Sequence, residues 1–192
     1  MAVSRNLVLL AARSVVGGYL AAHGAQKLFG SFDGPGIDAA AGGFEHLGLK
    51  PGKVFARLAA VSELAGGALT AAGAAAPLGP VVLAGTMAVA SATHRANGPF
   101  AAKGGYELAL TDFAAAAALG VAGPGRFSVD GLLGRRLPAS LRRLVVAGAV
   151  AVSGASLAMV LRAKPPAAPA ASDAVPEPEP APPVGASSEA GK

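Results

Sequence analysis

The 18 residues from Leu144 to Leu161, LVVAGAVAVSGASLAMVL, contain no charged group and are bounded by Arg142–Arg143 and Arg162. At 1.5 Å per residue such a run approaches the roughly 30 Å of a bilayer's hydrocarbon core, so it predicts a transmembrane helix. Four further windows share its character, each interrupted by a few ionisable groups: 6–29, 54–74, 78–97 and 105–122. A charge at the centre of a span opposes insertion by about 2.5–3.5 kcal/mol, so these four helices cannot face lipid all round. The period-2 alternation that a membrane barrel strand needs is absent. Between the windows lie helix-breaking pairs, Pro35–Gly36, Pro51–Gly52, Pro77 to Pro80, Gly98–Pro99 and Gly123–Pro124–Gly125. The expected fold is all-α. It comprises a multi-pass four-helix membrane bundle over 1–130, an Arg-rich loop with a fifth transmembrane helix over 131–163, and a disordered Pro/Ala-rich acidic tail over 164–192.

Composition agrees. Charged residues are 14% of the chain and mean hydropathy is +0.51, whereas soluble domains carry about 25% charge. The absence of cysteine excludes disulfides, thiol chemistry and cysteine-bound metal within this chain. With no tryptophan and 5% aromatics, a base-stacking platform is not available. The net charge of +5 conceals a division: residues 165–192 hold four acids against one lysine, and 8 of the 15 prolines. Such a segment cannot bury a core. The densest basic cluster is Arg126, Arg135, Arg136, Arg142 and Arg143. Placed in the cytoplasm, it puts the N-terminus and Arg5 there too. The remaining lysines and arginines fall on both sides and form no stripe, so no nucleic-acid partner is expected. Arg13 interrupts the apolar run of the first window, which is also too long for a signal-peptide core, so that span is expected to be retained. Small residues recur four apart at Gly17, Ala21 and Ala25, and at Gly67, Ala71 and Ala75. That spacing lets membrane helices approach closely, and alanine-rich sequence also produces it by chance.

Alternating spans bring the end of the first and third windows to the same membrane face as the start of the second and fourth. His23, Gln26, Lys27, His94, Tyr106 and Glu107 therefore share a face, with Glu63 and Asp112 deeper and Arg13 approached from the other side. Tyr19, His23, Gln26 and Lys27 stand at i, i+4, i+7 and i+8, one polar stripe of a helix. Tyr19, His23, Gln26, Lys27, Glu63, His94, Tyr106 and Glu107 are the candidate polar pocket, and Arg13 and Asp112 are further buried charges. Carboxylates inside a membrane pair with a cation or take a proton. Lys27 or His94 is the expected partner of Glu107, and Arg13 of Asp112 or Glu63. Asp112, five residues after Glu107, is expected to point to a different neighbour. Against these stand plainer readings: Lys27 snorkelling to headgroups, His94 as an interfacial residue, and Glu63 and Asp112 in structural ion pairs. Three histidines without a ligand-spaced motif give no metal site and a poor haem site.

The segments HGAQKLFG (23–30), GGF (42–44), HLGL (46–49), SELAGG (62–67), THRANGPF (93–100), GGYELAL (104–110) and GPGRFSVD (123–130) follow one another in this order. Together they resemble the DoxX family of bacterial inner-membrane proteins over about 5–130. The resemblance implies a four-helix membrane bundle and a redox setting, since relatives include a small subunit of a thiosulfate:quinone oxidoreductase and members tied to thiol-stress complexes. On that reading the chain is a membrane subunit or anchor whose pocket takes a quinone headgroup or meets a soluble oxidoreductase or another membrane subunit. No covalent cofactor is implied, and a homo-oligomer is compatible. The alternative is a small transporter or scaffold without catalytic activity.

Overall fold

In the computed structural model, residues 2–134 and 137–162 are described. They form α1 (Ala2–Phe29), α2 (Gly36–His46), α3 (Gly52–Ala72), α4 (Leu78–Thr93), α5 (Glu107–Ala122), α6 (Val129–Leu133) and α7 (Ala139–Arg162). Two 3-10 turns, Arg95–Asn97 and Ala101–Lys103, link α4 to α5. The fold is all-α, and no strand occurs among the described residues. The acidic tail expected over 164–192 lies outside them.

The fold begins with the small residues. A side chain at Gly17 would lie 2.6 Å from the Gly67 carbonyl oxygen, and one at Gly24 would lie 2.6 Å from that of Ala60. One at Gly67 would lie 2.6 Å from the carbonyl oxygen of Gly17. The backbones of α1 and α3 therefore touch along antiparallel helices, a contact that only glycine permits. The seam uses Gly17, Ala21 and Gly24 on α1, so Gly24 takes the role that four-residue spacing gives to Ala25.

From this pair the chain turns back sharply. Gly73 adopts φ 63°, and the Gly73 and Ala74 amides donate to Thr70 and Leu69 carbonyls, each at 3.0 Å. This is a Schellman end, with Pro77 following to start the next helix. Helix α4 packs on α3 and α5, α5 closes back on α1, and the four make a bundle. Leu20, Leu83, Met87 and Ala116 from α1, α4 and α5 form its centre. Helix α7 lies outside this ring against α4, where Gly85 meets Ser153.

Helices α1, α3 and α7 are long and apolar enough to cross a membrane, and α4 is a shorter apolar helix. The outward side chains are those expected toward lipid, with Val8, Val15, Val61, Val121 and Val150 all exposed. The third window is shorter than its hydropathy suggests. Helix α4 stops at Thr93, and His94 caps it with its amide on Ala90 O at 3.2 Å, so THRAN continues as a turn. At 16 residues each, α4 and α5 reach about 24 Å. Helix α2 is an element that hydropathy does not reveal. It lies across the start of α3, where Glu45 Oε1 accepts from the Gly52 amide at 3.2 Å and Asp38 pairs with Lys53 at 2.7 Å.

Candidate functional site

Gly24 lies against Ala60 and Leu64, the residues flanking Glu63 on its own helix. That close approach carries Lys27, one turn further along α1, to Glu63 of α3. Lys27 Nζ donates to Glu63 Oε2 in an ion pair that is buried on the Glu63 side. Glu63 is among the few buried charged residues of the described chain. An ion pair carries no net charge into the apolar interior, which is the state in which two such groups are tolerated there.

Two more ionisable groups approach the pair. His23 acts electrostatically on both Glu63 and Asp112, and Asp112 acts on Glu63. His23 Nδ1 is 3.0 Å from Gln26 Oε1, which leaves Nε2 for another partner. Gln26 Nε2 in turn donates to Phe32 O at 3.4 Å, so the turn after α1 folds back on this end of the helix. The site is thus a cluster of Lys27, Glu63, His23 and Asp112, contributed by α1, α3 and α5.

The pairings expected from the sequence change accordingly. Lys27 meets Glu63, not Glu107. Glu107 is exposed and its Oε2 accepts from the Ala101 amide at 2.9 Å, stitching the turn before α5. Tyr106 precedes that helix, half-buried, with its amide on Gly98 O at 3.2 Å. Tyr19 is 70% exposed and His23 is exposed as well, so of the α1 stripe only Gln26 and Lys27 are half-buried. Among the described residues, His94 Nδ1 is enclosed without a hydrogen-bond partner. Asp112 has His23 in electrostatic range, a neighbour different from the Ala101 amide that Glu107 meets.

Arg13 pairs with neither carboxylate. It sits 16 residues from the end of α1, about 24 Å, whereas Asp112 is five residues from the start of α5 on the other face. Its guanidinium donates instead to the carbonyl oxygens of Ala71 and Phe127. Around it runs a clasp that sequence reasoning does not single out as structural. Asp130 Oδ1 and Oδ2 accept from the Ala75 and Ala76 amides at 2.9 and 2.8 Å. Ser128 Oγ accepts from the Gly131 amide at 3.0 Å and donates to Gly125 O at 2.6 Å. Asn6 Oδ1 accepts from the Arg126 amide at 2.8 Å. The signal for it was present: Ser128 stands three residues before Gly131, at the N-cap position of a short helix.

Among the described residues no group of three or more His, Cys, Asp or Glu is placed to hold a metal ion. No curated protein and no solved structure matches the chain. Residues 8–96 match the DoxX family model, a stretch that includes the α1–α3 seam, Lys27, Glu63 and all of α4 but not Asp112 or the clasp residues from 123 onward. The apolar helices make this an integral membrane protein, and over residues 8–96 it is similar to the DoxX family.

Proposed function

We propose that the chain is a multi-pass subunit or anchor of a redox or thiol-stress system in the bacterial inner membrane, with the Lys27–Glu63 cluster as its working site. The observation that carries this reading is a buried ion pair with a histidine and a second carboxylate in electrostatic reach. A lysine and a histidine are hydrogen-bond donors for two carbonyl oxygens, and two carboxylates beside them can take up and release protons. That donor set suits a quinone headgroup, whose chemistry couples electron transfer to protons. Lys27 and the free nitrogen of His23 would hold the headgroup, and Glu63 and Asp112 would manage its protons. With no cysteine in the chain, any thiol step belongs to a partner.

The test is purification of the full chain in mild detergent, followed by extraction of bound quinone and identification of co-purifying oxidoreductases. Wild type is expected to retain quinone and Lys27→Met/Glu63→Gln to lose it with the helical spectrum unchanged. Absence of both quinone and an oxidoreductase from wild type favours a transporter or scaffold.

A further inference from the structure

Where α1 and α7 begin and α5 ends, an open cleft of about 870 Å³ lies between the helices and the 123–134 segment. It is at the opposite face from Lys27 and Glu63. Arg5, Arg126 and Arg142 line it. The carboxylate on its wall, Asp130, has both oxygens engaged by the Ala75 and Ala76 amides, and its single negative charge stands against three arginines. Arg5 spends one nitrogen on Ala122 O at 3.1 Å, and all three arginines are exposed. Pro77, Pro124 and Ala122 give the cleft an apolar wall beside the charged one.

We infer that this cleft holds the phosphodiester headgroup of an anionic phospholipid. Guanidinium groups match phosphate oxygens in pairs of hydrogen bonds, and three of them line this cleft. The ends of spanning helices stand at the level where hydrocarbon gives way to headgroups, and basic pockets at that level take anionic lipids. The volume is in the range of small-ligand clefts. The apolar wall has a use for a glycerol backbone and none for a free phosphate.

The full-length protein is equilibrated in mixed phosphatidylcholine–phosphatidylglycerol vesicles, re-extracted in mild detergent, and its retained lipids are counted by native mass spectrometry. Wild type should keep phosphatidylglycerol in preference. Arg126→Gln/Arg142→Gln should lower that preference about 25-fold, or roughly fivefold for each arginine. Arg126→Lys/Arg142→Lys, which keeps the charge, should fall between. Arg162→Gln removes a charge at the other end and should leave the preference intact. Equal retention of the two lipids by wild type overturns the inference, as does an equal loss in Arg162→Gln. Displacement of the lipid by millimolar inorganic phosphate would make the cleft a free-anion site and overturn it too.

Discussion

The two ends of the bundle both contain buried charge, but they employ it differently. At the Arg13 face two ionic side chains end on backbone: Arg13 on two carbonyls, Asp130 on two amides. At the Lys27 face side chain meets side chain, with His23 and Asp112 nearby. A backbone group cannot titrate or swing away, so the first arrangement is a fastener. The second can change protonation or exchange a partner while the helices stay in place. Charge inside a membrane helix is thus not by itself a sign of function, and what the charge touches separates the two cases.

The comparison rests on the seam that both faces share, and breaking it should have the largest effect. Gly24→Leu drives a side chain into the α3 backbone and is expected to cost about 3 kcal/mol or more, read as loss of the folded protein in a detergent thermal melt. Wild-type stability in that variant would remove the reason Lys27 reaches Glu63. Next comes the fastener. Arg13→Ala leaves the Ala71 and Phe127 carbonyls without their donor, at about 1–3 kcal/mol each. It should lower the melting temperature whether or not any ligand or partner is present.

Lys27 and Glu63 should behave in the opposite way. Glu63→Gln alone leaves a lysine without its counter-ion and should destabilise by about 1–2 kcal/mol, less than a fully buried pair because Lys27 can snorkel. Lys27→Met/Glu63→Gln should regain most of that stability while losing function in a thiosulfate or oxidative-stress survival assay. If the double variant melts no higher than the worse single, the pair is a fastener too. Glu107→Gln should change stability by under about 0.5 kcal/mol and leave function intact, since an amide oxygen can still accept from Ala101.

How much of this could be read from the chain follows the physics. Hydropathy located every long helix because lipid demands long apolar runs. The helix α2 was invisible because 11 residues at an interface need no such run. That Lys27 and Glu63 would be functional candidates was legible, Lys27 from the polar stripe at the end of α1 and Glu63 from its depth in α3. Their pairing was not. Glu107 lies level with the end of α1 by topology, and only the glycine seam, whose effect is measured in ångströms rather than residues, makes Glu63 the nearer carboxylate. Arg13 misled for a related reason: a sequence displays carboxylates as partners but does not show which carbonyls a helix end leaves open.

The smallest expected effect lies outside the membrane spans. Hydrogen bonding and attraction from Lys53 hold the Asp38 carboxyl below its ordinary range. A lowered pKa in the folded state means that the pair favours folding above the ordinary carboxylate value. That contribution fades as pH falls below about 4. Asp38→Asn should abolish this small acid-side slope in a pH series of melting temperatures, with no change near neutrality.

The glycine seam also determines which parts of the protein can move. Two helices in backbone contact have no side-chain layer between them to shear, so α1 and α3 neither slide nor roll past one another. They form a stator. A rearrangement on that scale would therefore have to come from α4, α5 or α7, against a Lys27–Glu63 pair held by the seam.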